Sequence, residues 1–109
     1  MPYDEKLAQR VRAVFQSEPN YTEKEMFGVI CFMVGRNMAV GVAGTDLLVR
    51  PGPINFEAVL ALPHARPMDF TRGPMKGFLY VESEGLTTDT ALAAWVERGA
   101  AYARSLPVK

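Results

Sequence analysis

The stretch KEMFGVICFMVGRNMAVGVAGTDLLVR, Lys24 to Arg50, decides the fold. From Met26 to Val34 nine consecutive residues are apolar or glycine and rich in β-formers, a run that reads as a buried strand. Gly35-Arg36-Asn37 is turn chemistry, so the chain is expected to reverse there into MAVGVA, Met38 to Ala43. Met38, Val40 and Val42 are assigned to one face of that return strand. Ala39, Gly41 and Ala43 form the other, small enough for a second element to approach closely. Gly44-Thr45-Asp46 turns again into LLVR, and Pro51-Gly52-Pro53 ends the third strand because proline has no N–H for the ladder. Both faces of the first strand are apolar: Met26, Ile30, Phe32 and Val34 on one, Phe27, Val29, Cys31 and Met33 on the other. A two-layer sheet leaves one face in water and alternates polar with apolar, so this double apolarity calls for cover. The expected cover is the long terminal helix or another subunit.

The flanks supply the helices. Before the strands, Asp4 caps a helix with Leu7, Val11, Val14 and Phe15 on one face, ended before Pro19. Glu23 and Glu25 share a side of the following segment and read as the charges that protect an exposed sheet edge. After the strands, Asn55 to Leu62 suits a short helix stopped by Pro63. Met68 to Thr71 and Lys76 to Val81 form a second hairpin around Arg72-Gly73-Pro74, with Leu79 and Val81 on its inner face. Thr88 or Asp89 then caps the clearest helix, whose Leu92, Trp95, Val96, Gly99, Tyr102, Ala103 and Leu106 share a broad stripe. The expectation is an α+β fold: two layers, a mostly antiparallel five-stranded sheet and helices, in the order α-β-β-β-α-β-β-α.

Composition bounds the rest. The 109 residues fit a single domain spanning 1–109, and 49% hydrophobic with 22% charged residues describe an ordinary globular core. Twelve basic side chains balance twelve acidic ones, so no global field steers the chain toward nucleic acid or an anionic membrane. The N-terminus lacks the pattern of a signal peptide and no apolar run approaches the roughly 20 residues of a membrane span, so the cytoplasm is the expected compartment. The lone cysteine forms no internal disulfide.

Catalytic templates fit poorly. Zinc sites need several Cys, His or carboxylate ligands, and this chain has one Cys and one His separated by a helix, so neither a metal nor another cofactor is implied. A Cys31–His64 dyad would be a competent nucleophile. Cys31 lies among Ile30, Phe32 and Met33, however, where desolvation suppresses the thiolate, and His64 follows Pro63 at a helix end with no orienting partner. No residue is therefore assigned a catalytic role. Arg50, Arg66, Arg72 and Lys76 fall near strand ends and turns, opposed between residues 50 and 76 only by Glu57 and Asp69. They are the candidate anion or ligand site, because arginine offers a planar donor fork. The alternative is four solvated side chains, with Arg66 or Arg72 paired to Asp69. Met26, Met33, Met38, Met68 and Met75 suit either an adaptable core or a surface that adjusts to partners.

Met26-Phe27-Gly28 with Phe32-Met33, Gly35-Arg36-Asn37-Met38, Leu48-Val49-Arg50 with Gly52-Pro53, and above all Arg66-Pro67-Met68-Asp69-Phe70-Thr71 with Pro74-Met75-Lys76-Gly77 resemble the N-terminal domain of the TfoX/Sxy family, proteins associated with regulation of bacterial competence. The resemblance runs from Tyr3-Asp4-Glu5-Lys6 through Ala93-Ala94-Trp95-Val96 to Arg104-Ser105-Leu106. One departure is the order Arg72-Gly73-Pro74-Met75 where the family pattern has Gly-Arg-Pro-Met. The resemblance implies a secretion-chaperone-like α+β domain, a stand-alone N-terminal module and no established catalytic residues.

Two functional classes follow. The first is a non-enzymatic regulatory or adaptor module, linked to transcription or competence regulation, that binds an unidentified protein partner or forms a homodimer through Met68, Phe78 and Tyr80. The second is a small-molecule or anion-binding protein, or an unrecognised enzyme, with a pocket built by Arg50, Arg66 and Arg72, with His64 as a further member. Direct nucleic-acid binding has little support, since four dispersed cations on a neutral domain give little electrostatic footprint.

Overall fold

In the computed structural model the chain is described over residues 3–26, 28–67 and 77–108. Helix α1, Glu5–Val14, starts where the Asp4 carboxylate accepts hydrogen bonds from the backbone N–H groups of Lys6 at 2.9 Å and Leu7 at 3.4 Å. Strands β1 (Tyr21–Met26), β2 (Val29–Val34), β3 (Asn37–Ala43) and β4 (Asp46–Val49) follow, then α2 (Phe56–Leu60), β5 (Ala65–Pro67) and β6 (Leu79–Val81). A 3-10 turn, Ser83–Leu86, leads to α3, Asp89–Ser105, capped by the Thr88 hydroxyl accepting from Ala91 N–H at 3.1 Å. The described strands form one six-stranded antiparallel sheet in the order β1-β2-β3-β4-β6-β5.

The α+β class is as expected, with six strands where five were expected. The chain turns once earlier than the apolar run suggests: Met26 pairs directly with Val29, and Gly28 between them has φ 75°. Directly opposed residues of an antiparallel pair share a face, so Met26 joins Val29 and not Ile30. The expected strand at Met68 to Thr71 lies outside the described residues, and the strand preceding it is Ala65–Pro67. Val14, assigned to the buried face of α1, is 39% exposed while Leu7, Val11 and Phe15 are buried.

The second turn forms as its sequence requires. Val34 pairs with Asn37 across Gly35 and Arg36, whose φ values are 60° and 65°. A two-residue loop with both φ positive matches the right-handed strand twist, and glycine adopts that conformation without steric cost. Asn37 is the buried polar residue of the described core, and its amide donates to the Pro107 carbonyl at 2.9 Å, tying this hairpin to the chain beyond α3.

A register shift then redistributes β3. Phe32 pairs with Val40 and Met33 with Met38, leaving Ala39 as the extra residue of a β-bulge. Ala39 and Val40 both enter the helix-side core, and Met38 moves to the opposite face. This corrects the expected grouping of Met38 with Val40 and Val42, since a one-residue slip exchanges faces in a strand of period two.

The three described α-helices all contribute to one core. Leu7 and Val11 of α1, Val59 of α2, and Leu92, Trp95, Val96, Ala100 and Ala103 of α3 pack against Ile30, Phe32, Val40, Val42, Leu47, Val49, Leu79 and Val81. Phe15, Tyr21 and Phe32 stack in a trio, with ring centroids 5.0 Å apart for Phe15–Tyr21 and 6.2 Å for Phe15–Phe32. Helix α3 comes closest at the bulge, where a β-carbon at Gly99 would lie 2.2 Å from the Ala39 carbonyl oxygen.

Ion pairs pin the periphery. Arg104 near the end of α3 meets Glu18 at 2.6 Å and Glu97 at 2.7 Å. Arg12 donates from Nε to Glu23 at 2.8 Å, and the Tyr21 hydroxyl donates to the same carboxylate. Burial pushes the Glu23 carboxyl up, but these two hydrogen bonds outweigh it and hold the group below its ordinary value of 4.5. A depressed folded-state value means stability that is present above the unfolded value and is lost as pH falls through the folded one. Urea denaturation across this acidic range is expected to show wild type more stable than Glu23→Gln above pH 4.5 by on the order of 0.5 to 1 kcal/mol after solvent screening. The difference should vanish in stronger acid. Parallel curves for the two proteins would refute this role.

Candidate functional site

Four basic positions were candidates for one anion site, and Arg72 and Lys76 lie outside the described residues. The other two have separate surroundings. Arg66, on edge strand β5, meets Asp46 of β4 at 3.1 Å and Glu82 after β6 at 3.1 Å, and its guanidinium lies 5.1 Å from the Tyr80 ring centroid. Two carboxylates oppose its charge, so this arginine staples the sheet edge instead of presenting a free fork. The sequence suggested Asp69 as a partner for Arg66; that residue lies outside the described set.

Arg50 leaves β4 where Pro51 and Pro53 stop the ladder. Its guanidinium sits 5.2 Å from the ring centroid of Tyr102 on α3, a cation–π distance. Gly52, at φ 89°, lies against the same ring: a β-carbon there would be 2.5 Å from Tyr102 Cδ1. Arg50, Tyr102, Phe56 and Glu57 line an open cavity of about 520 Å³ together with Gly52, Pro53 and Gly77. Arg66 is not among the residues lining it. Among the described residues the cavity combines one guanidinium beside an aromatic wall with one carboxylate.

Of the three candidate interaction residues, Met68 lies outside the described residues. Phe78 is buried and Tyr80 half-buried on the sheet face away from the helices. There they join Cys31, Met38 and Leu48, bordered by Met26, Val29, Met33 and Ala43. No described helix contributes to this cluster. The expected cover by the terminal helix is therefore overturned: α3 packs on the first face, where its small residues let it approach β3. Cys31 is fully buried, and burial pushes its thiol up to about 11, with Lys24 opposing weakly. That suppresses thiolate at neutral pH.

His64 lies elsewhere. It has φ 72°, its carbonyl accepts from Glu82 N–H at 2.9 Å, and its side chain packs where Gly85 has no β-carbon. It lines a cleft with Trp95 and Arg98 on the helix side, so it forms no pair with Cys31 in the opposite cluster. Among the described residues no group of three or more His, Cys, Asp or Glu is placed to hold a metal ion. No described helix is long and apolar enough to cross a membrane.

Several residues of these clefts escaped the sequence reading. Tyr102 was read as part of the core stripe, yet it is half-buried and forms the wall against Arg50. Arg98 stacks 4.5 Å from the Trp95 centroid, a pair whose three-residue helical spacing was a usable signal. Asp46 and Glu82 reach Arg66 only through strand pairing, so no local spacing announced them.

A family model described as TfoX N-terminal domain matches residues 13–103. No curated relative and no solved structure matches the chain significantly.

Proposed function

The chain belongs to the TfoX N-terminal domain family, and from that membership and its second sheet face we propose that it is a non-enzymatic regulatory module, linked to transcription or competence regulation, that binds another protein or a second copy of itself. The observation that carries this reading is the half-buried apolar border around the Cys31, Met38, Leu48 and Phe78 cluster, which is itself buried within the chain and to which no described helix contributes. Its border supplies Met26, Val29, Met33 and Tyr80, all half-buried. Methionine and tyrosine suit such a role: the thioether chain adapts to an irregular partner, and the phenol combines apolar area with a polar tip. Desolvating such residues at the centre of a contact supplies most of the affinity of a typical interface.

The test is association, measured by sedimentation velocity over micromolar concentrations and by affinity capture from the native cell. Met33→Glu places a charge on the half-buried border of the cluster without touching the helix-side core. It is expected to abolish concentration-dependent dimerisation or the captured partner, with the far-UV circular dichroism unchanged. Wild type and variant giving the same sedimentation profile and the same captured proteins would overturn the reading.

A further inference from the structure

The cleft beside α3 has a chemistry that the association reading does not use. Its cavity of about 520 Å³ falls within the range of roughly 300 to 1,000 Å³ typical of small-molecule sites. Arg50 lines it as a guanidinium stacked on Tyr102, which restrains the side chain and leaves its N–H edge as the group's remaining polar resource. Glu57, in the first turn of α2, lines the same cavity. These two opposite charges do not form an ion pair with each other, and among the described residues neither has any other ion-pair partner. Phe56, Pro53 and the Tyr102 ring supply the apolar surface. A cavity that keeps a cation and an anion apart across apolar walls is complementary to a ligand carrying the opposite pair on a flat apolar body.

We propose that this cleft binds a small dipolar ligand, a free α-amino acid with an aromatic side chain. Its carboxylate pairs with Arg50, its ammonium with Glu57, and its ring lies against Phe56 and Pro53. A simple organic anion uses only half of the site, because Glu57 repels it. The site is open to water and its charges are partly screened, so a dissociation constant on the order of 0.1 to 1 mM is expected.

The experiment is a titration of the isotopically labelled full chain, followed by amide chemical shifts, with L-phenylalanine, 3-phenylpropanoate and phenethylamine as separate probes. Saturable shifts centred on Gly52, Glu57, Gly77 and Tyr102 are expected with phenylalanine, and roughly tenfold weaker binding for each singly charged analogue. Arg50→Gln should weaken phenylalanine to the level of phenethylamine, and Glu57→Gln to that of 3-phenylpropanoate. Non-saturable shifts, shifts centred outside the cleft, or variants that bind like wild type would overturn the proposal. Equal affinity for 3-phenylpropanoate and phenylalanine would also overturn it, leaving an anion site only. The sheet-face variant Met33→Glu should bind phenylalanine as wild type does, so failure here leaves the association reading standing, and the converse holds.

Discussion

Replacing Gly99 by alanine is expected to lower the unfolding free energy by about 3 kcal/mol. The sign is the informative part. Helix propensity alone favours alanine over glycine inside a helix by about 1 kcal/mol, so a protein in which α3 merely lay near the sheet would gain stability. Here the added β-carbon would lie 2.2 Å from the Ala39 carbonyl oxygen, 2.8 Å from its carbonyl carbon and 2.8 Å from Val40 Cγ1. Two of those atoms are backbone, held by the bulge and by the hydrogen bond from Arg50 N–H to the Ala39 oxygen at 3.1 Å. The helix must therefore lift, and its residues Val96, Ala100 and Ala103, all nearly fully buried, lose contact with the sheet. Chemical denaturation of both proteins measures the difference. A midpoint equal to or above that of wild type would show that α3 does not touch β3 at this point.

Truncating Phe32 to alanine is expected to cost about 3 to 5 kcal/mol, the usual range for a buried phenylalanine. Its side chain is fully buried and stacks on Phe15, which closes α1, and on Tyr21, which opens β1, with centroids 6.2 and 6.4 Å away. It is also the last residue in register before the bulge. The resulting void therefore borders three elements, and rigid backbone on the sheet side limits how far they can collapse into it. Against a total stability of roughly 5 to 15 kcal/mol for a domain, such a loss is large. Denaturant melts of Phe32→Ala should show a greatly reduced midpoint with an unchanged slope. A loss below about 1 kcal/mol would mean that the three rings do not form a common packing unit.

These two positions show where sequence reading succeeds and where it stops. Phe32 was grouped with Ile30 and Val34 on one face of its strand from alternation alone, and Leu79 with Val81 likewise, because the period of two is a property of the extended backbone. The caps Asp4 and Thr88 were equally legible, since a side-chain oxygen that satisfies the first free N–H groups acts within three residues. Met38 and Met26 were assigned to the wrong face for one reason: a bulge at Ala39 and a tight turn at Gly28 each shift the register by an amount that apolar composition does not encode. The long apolar run concealed the turn. With Phe and Val on both sides of Gly28, no polar residue interrupted it.

The candidate site was less legible than the fold. Arg50 and Arg66 were named from their positions near turns, but their roles depend on residues distant in sequence. Arg66 is neutralised by Asp46 and Glu82 because β5, β6 and β4 are neighbours in the sheet. Arg50 gains its aromatic wall because α3 crosses behind the Pro51–Pro53 turn, and Tyr102 can approach only where Gly52 lacks a side chain.

By itself the sequence determined the α+β class, the capped helices, the Gly35-Arg36 reversal and a sheet with two apolar faces, because each follows from local stereochemistry and the periodicity of side chains. Only the tertiary structure decided that all described helices gather on one face, so that none of them covers the Met and aromatic cluster of the other. It alone separated Arg66, held by carboxylates, from Arg50, held by a tyrosine. Strand order and bulge register set those outcomes. Both arise from contacts between distant residues, whose energies no local pattern records.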